Sequence, residues 1–200
     1  MNGNCQEGFI LKENRCVRES STAGMTSCVL DGKHFCNPND KPLRPPIARP
    51  GGKSQIADKI IEKAPPHETY VEPFVGGGAV FLKKPLAKKN VINDKDKDVA
   101  TVFKSFKQGE GFDKCDMTPS KEKFDRIKNK PDKNACDVAY LNKLSFGSQM
   151  RTFAEKKYKD GTRDDIGIIY PKKHKEDYQK KLKNAIVENK LSQTVTKWYS

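Results

Sequence analysis

No apolar stretch of the 200-residue sequence runs beyond a few residues. A helix needs roughly 20 such residues to cross a bilayer, so no helical membrane span is predicted. The opening residues, Met1 to Cys5, lack a basic region followed by an apolar run. No secretory leader is therefore expected, and a cytoplasmic or nucleus-like setting is the default. No Cys-x-x-Cys knuckle occurs, which weighs against a ready-made zinc site, and there is no internal repeat. Acidic charge is scarce: 26 Asp and Glu face 39 Lys and Arg, a formal net charge of +13. Such a balance suits a polyanionic partner, and nucleic acid is the commonest one. A lysine-rich surface that serves only solubility is the competing reading.

What the chain does contain is enough for one α/β domain of ordinary size, or a smaller one with an added module. Residues 1–40 are rich in Gly, Asn, Ser and Cys and show no sustained helix or strand period. A segment this short buries little core and needs a staple. Cys5, Cys16, Cys28 and Cys36 could supply one as two disulfides, or as a zinc site of four thiolates, or of three with His34. A loosely ordered arm with free thiols is the alternative. Cys115 and Cys136 stand apart, and without a secretory leader they read as reduced, partly buried thiols.

Lys41 to Pro50 holds four prolines in ten residues and reads as an extended linker. Ile56, Ile60 and Ile61 then fall on one helical face, with Ser54 placed to cap it and Pro65-Pro66 to end it. Thr69 to Val75 reads as a buried strand that runs into a tight turn at Gly76-Gly77-Gly78. A helix starts at Ala79, and Asn90 to Asn93 form a second strand. Val99, Val102, Phe103 and Phe106 repeat at helical spacing until Gly109 and Gly111 break the pattern. From Pro119 the reading is helical: Phe124 and Ile127 line one helix, Val138, Leu141 and Leu144 the next. A last helix carries Tyr178, Leu182, Ala185 and Ile186. Between Phe146 and Tyr170, glycine-punctuated basic segments suit a long loop or hairpin.

The strongest chemical signal is the order strand, glycine turn, helix, strand, acid. Glycines at Gly76 to Gly78 let backbone approach a ligand with no Cβ in the way. In a doubly wound sheet, an acid placed as Asp94 is accepts hydrogen bonds from ribose hydroxyls. The turn is not the dinucleotide pattern Gly-x-Gly-x-x-Gly, because Phe81 holds the third glycine's place.

Three stretches match a known pattern in order and spacing: Arg49-Pro-Gly-Gly-Lys53, then Tyr70-Val-Glu-Pro-Phe-Val-Gly-Gly-Gly-Ala-Val-Phe81, then Val91-Ile-Asn-Asp94. With Tyr140-Leu-Asn-Lys-Leu-Ser-Phe146, they resemble the motifs of Dam-type DNA adenine-N6 methyltransferases, over about residues 42 to 190. The resemblance implies S-adenosylmethionine as cofactor and double-stranded DNA as partner. It implies that Lys53, in the turn with Gly52, lies near the cofactor carboxylate, and that Phe74, Gly76 and Gly78 wall the cofactor. Asp94 would hold the ribose. Glu72 would stand where the strand enters the site, although hydrogen bonding to nearby backbone explains it equally well. Asn142, Lys143 and Arg151 would begin the DNA-recognition segment. The implied fold is α/β: an incomplete doubly wound, Rossmann-like methyltransferase sheet over 41–112. A mostly helical DNA-recognition segment over 113–200 and the Cys-rich N-terminal arm complete it.

Some residues depart from that pattern. Arg49 stands where the family usually carries an aromatic side chain beside the cofactor, and Gly147-Ser148 replaces the usual Asn-Gly of the hairpin. The catalytic tetrapeptide, Asp/Asn/Ser-Pro-Pro-aromatic, is absent: Pro45-Pro46 is followed by Ile47 and Pro65-Pro66 by His67. In the family that motif orients the target amine and stacks on the flipped adenine. No catalytic residue and no metal ligand are therefore assigned. The expectation is an interrupted gene product, half of a split enzyme completed by a second polypeptide, or a retired domain reused for DNA binding or assembly. The strand Thr69–Val75 is expected to present an unpaired edge.

Overall fold

The computed structural model describes residues 42–65, 67–154 and 168–199, together with the backbone of three short strands in the arm. Those strands, β1 (Phe9–Lys12), β2 (Arg15–Arg18) and β3 (Cys28–Val29), pair antiparallel in the order β1-β2-β3, with Cys16 opposite Cys28. The disulfides or zinc site expected of Cys5, Cys16, Cys28 and Cys36, with or without His34, rest on side chains outside the described residues.

Beyond the arm lies a mixed α/β unit built on three parallel strands. They are β4 (Thr69–Glu72), β5 (Lys89–Asn93) and β6 (Ala185–Glu188), in the order β4-β5-β6. Parallel pairing registers Val71 with Val91, and Val91 with Ile186. Side chains alternate across a strand, yet Val91 and Ile92 are both 0% exposed, so both faces of β5 are covered. Among the described residues no strand pairs with the outer edge of β4.

Eight α-helices surround this sheet among the described residues: α1 (Ala57–Lys63), α2 (Ala79–Lys83), α3 (Lys97–Lys107), α4 (Lys121–Lys128), α5 (Ala135–Lys143), α6 (Ile169–Lys173), α7 (Lys175–Leu182) and α8 (Ser192–Tyr199). Helix α3 forms where the sequence predicts it. Asp96 caps it by accepting from the Asp98 amide, and Val99, Val102, Phe103 and Phe106 are wholly buried. Ser120 caps α4, and a reciprocal Asn134–Asp137 capping box starts α5. The Tyr140 hydroxyl, fixed on α5, accepts from the Ser120 amide at 2.8 Å and so locks α4 onto α5.

Four expectations need correction. The predicted last helix stops at Leu182, and Ala185 and Ile186 enter strand β6 instead, where ladder bonds to β5 outweigh helical spacing. Cys115 and Cys136 form a disulfide with Cα atoms 5.0 Å apart, because the 112–118 loop folds back against the first turn of α5. The 42–50 segment, expected as an extended linker, is part of the core: Leu43 and Ile47 are buried in it, and the Leu43 amide donates to the Leu82 carbonyl at 3.1 Å. Helix α1 begins at Ala57 without a side-chain cap, and its buried residue is Ala57, whereas Ile56 and Ile60 face outward.

Candidate functional site

Ligands of parallel α/β sheets bind at the carboxyl ends of the strands. Here one buried side chain ties those ends together. Asn93, last residue of β5, donates through Nδ2 to the Pro73 and Lys190 carbonyls at 2.9 and 3.1 Å, and its Oδ1 accepts from the Lys190 amide. The turn after β4 is thereby fixed beside the end of β5. The sequence reading gave Asn93 no role, since its partners lie 20 and 97 residues away.

Within the turn the three glycines serve different ends. Gly76 adopts φ +51° and has nothing within 4 Å of where a Cβ would stand. Its N–H points at Asp94 and donates to Oδ2 at 2.8 Å, while Asp94 Oδ1 accepts from the Asp96 amide. Gly77 lies against the 42–50 segment, and a Cβ there would meet the Ile47 carbonyl oxygen at 2.7 Å. Gly78, expected to wall the cofactor, packs on the core: a Cβ built there would stand 2.6 Å from the Phe103 ring.

These pieces enclose a cavity of about 610 Å³, lined by Arg49, Gly52, Lys53, Glu72, Phe74, Gly76 and Asp94 with parts of the 45–54 segment. Lys143, expected in the DNA-recognition segment, lines this cavity too. Arg49 is anchored by an ion pair to Asp96, and Lys53 folds over its own turn to donate to the Gly51 carbonyl at 2.7 Å. Glu72 takes both a hydrogen bond from the Tyr70 hydroxyl (2.8 Å) and one from the Phe81 amide (3.1 Å) on Oε2. The second bond caps α2, whose N-cap is the side-chain-less Gly78. Burial pushes the Glu72 carboxyl up to about 7, held from going higher by Tyr70, the Phe81 amide and the Lys84 ammonium.

The remaining expected DNA contacts separate. Asn142 is fully buried and makes three hydrogen bonds to backbone, so its amide faces the 42–50 segment and not solvent. Arg151 is exposed on the far arm of a hairpin over 144–154, closed by bonds from Phe146 N–H to the Thr152 carbonyl and from Ala154 N–H to the Leu144 carbonyl. The hairpin tip holds Gly147, Ser148 and Met150 at positive φ, and beside it Phe146 is 74% exposed. The sequence reading quoted Phe146 only as the end of a motif and gave its ring no role.

Residues 50–199 match the pattern of the D12 class N6 adenine-specific DNA methyltransferases. The chain belongs to that family. Among curated relatives of this D12-class chain, the type II methyltransferase M.MjaIII of Methanocaldococcus jannaschii is 29% identical over 139 residues. That match covers 54% of this chain and 48% of the relative. The DNA N-6-adenine-methyltransferase of Escherichia phage P1 is 34% identical over 58 residues, 29% of this chain and 8% of that protein. The chain thus spans about half the length of the first relative and a small part of the second. Among the described residues no helix is long and apolar enough to cross a membrane.

Proposed function

We propose that the chain is the cofactor-binding and DNA-facing part of a site-specific DNA adenine-N6 methyltransferase, with S-adenosylmethionine held in the 610 Å³ cavity. One observation carries the reading: the Gly76 amide and the Asp94 carboxylate meet at 2.8 Å at the carboxyl ends of parallel strands. The cavity fits the donor's chemistry. Its volume is in the range of small-molecule sites. Bare Gly76 leaves room for a close approach, Asp94 offers acceptors to ribose hydroxyls, and Phe74 and Arg49 supply flat surfaces. Lys53 and Lys143 suit a carboxylate, and Glu72 suits an ammonium.

When bound, the cofactor supplies a methyl group on a sulfonium. The residues of this chain bind it and orient it. Acceptors for the target amine are not in the sequence, and we assign them to polypeptide outside these 200 residues. DNA is engaged through the basic surface, with Phe146 and Arg151 at the hairpin. Phosphate contacts supply most of the affinity and base contacts the specificity.

Equilibrium titration with S-adenosylmethionine tests this directly. Saturable binding is expected, weakened at least about tenfold by Asp94→Ala, as lost charge-assisted hydrogen bonds require. Methyl transfer to DNA is expected once a polypeptide carrying the tetrapeptide is added. No cofactor binding, together with salt-sensitive DNA binding indifferent to Asp94→Ala, would instead assign a non-enzymatic DNA-binding or assembly role.

A further inference from the structure

Two acids line the cavity, and they differ in what remains unused. Each oxygen of Asp94 accepts one backbone amide, Gly76 N–H on Oδ2 and Asp96 N–H on Oδ1, and keeps a second lone pair for a neutral hydroxyl. Both bonds to Glu72 fall on Oε2, and among the described residues no donor reaches Oε1. Glu72 Oε1 is thus a carboxylate oxygen with no donor of its own, open to a ligand cation. The neighbouring cations are otherwise engaged: Arg49 pairs with Asp96, and Lys53 bonds to the Gly51 carbonyl. Lys143 stands on the α5 wall.

Behind Glu72 lies a small polar stack. The Tyr70 hydroxyl donates to Glu72 Oε2, and the Lys84 ammonium sits 4.2 Å from the centre of the Tyr70 ring. Tyr70 and Glu72 are two residues apart on β4 and so share a sheet face. A phenol is a donor only while protonated, and burial with the adjacent carboxylate keeps this one protonated far above neutral pH. Tyr70 is therefore a fixed donor that favours the ionised form of Glu72.

We infer that Tyr70 is a positioning residue for the cationic end of the cofactor: its hydroxyl favours the Glu72 carboxylate and holds its Oε2, so that Oε1 meets the α-ammonium of bound S-adenosylmethionine. This rests on the cofactor reading above. It assigns to Tyr70 a purpose that its place outside the cavity lining conceals. Cofactor affinity should then fall on the acid side of neutrality, as Glu72 takes up a proton and its attraction for the ammonium is lost.

The test compares the unaltered chain with Tyr70→Phe and Glu72→Gln. Dissociation constants for S-adenosylmethionine are measured between pH 5 and 7.5. The probe 5′-methylthioadenosine, which lacks the amino-acid end, is measured alongside. The Glu72 side-chain carboxyl is followed by carbon NMR in the protein without ligand. Losing one hydrogen bond to a charged group should move that carboxyl's midpoint up by about one to two pH units in Tyr70→Phe. At pH 7 the variant should bind S-adenosylmethionine roughly five- to fiftyfold more weakly, from the smaller ionised fraction. Methylthioadenosine should bind all three proteins alike, which reports an intact fold. Glu72→Gln should bind S-adenosylmethionine weakly, with no acid limb. A Tyr70→Phe acid limb that overlays the unaltered one, or a carboxyl midpoint that does not move, overturns the inference. Binding of neither nucleoside by the unaltered chain rejects the cofactor reading itself, while the carboxyl titration still reads Tyr70's action on Glu72.

Discussion

Asn142 holds Ala48 by both its backbone groups: its Oδ1 accepts from the Ala48 amide at 3.0 Å, and its Nδ2 donates to the Ala48 carbonyl at 2.8 Å. The same Nδ2 donates to the Ser148 carbonyl at 3.1 Å. One amide on α5 thus joins the cavity wall to the hairpin. Asn142→Ala should leave these backbone groups unsatisfied and cost about 2–4 kcal/mol. Urea denaturation measures it; a loss under about 0.5 kcal/mol, typical of surface sites, would remove Asn142 from this role.

The glycine turn makes a graded prediction. Gly76→Ala places a side chain at positive φ in open space and should cost about 1 kcal/mol. Gly77→Ala drives a Cβ into the Ile47 carbonyl oxygen and must displace the cavity wall. Its cost should be the larger, about 2 kcal/mol or more, with weaker cofactor binding. Equal melting temperatures for the two variants would contradict this ordering.

Glu72 also gives a pH dependence of stability. Its folded value of about 7 is above the ordinary 4.5, so its contribution is fully present below about pH 4.5 and is lost as pH rises through 7. Against the unaltered chain, Glu72→Gln should gain relative stability across that window, on the order of 2–3 kcal/mol. Denaturation midpoints at pH 5 and pH 8 check it. A difference that does not change with pH excludes a raised Glu72.

The Cys115–Cys136 bond closes a loop of 21 residues. Chain entropy makes its reduction cost about 3 kcal/mol. Thermal melting with and without a phosphine reductant, compared with Cys136→Ser, measures the effect. Reduction without any fall in melting temperature would show that the bond does not form.

At the hairpin, Arg151→Ala should weaken DNA binding and lower the slope of log affinity against log salt by about one, as loss of a phosphate contact does. Phe146→Ala should weaken binding with the slope unchanged, because an apolar ring releases no counterion. Titrations at three salt concentrations separate the two. Identical slopes for Arg151→Ala and the unaltered chain would take Arg151 off the phosphate backbone.

Local chemistry made much of the molecule legible from its sequence. The glycines at 76–78, the acid at 94, and the buried faces of α3, α4 and α5 follow from backbone freedom and periodicity. Both are properties of neighbouring residues. Partners far along the chain decided the rest. Ala185 and Ile186 carry a helical spacing but pair with Asn90 and Val91, so they became strand. Asn142 and Lys143 sit in a motif that resembles a DNA-contacting one, yet the packing of α5 against the 42–50 segment buried Asn142 and set Lys143 in the cavity lining. Cys115 and Cys136 were judged by compartment, and a loop folding back on α5 joined them. Sequence alone determined which residues can approach a ligand or cap a helix. Tertiary structure decided which of them meet, because hydrogen bonds spanning some 94 to 97 residues leave no periodic trace in the chain.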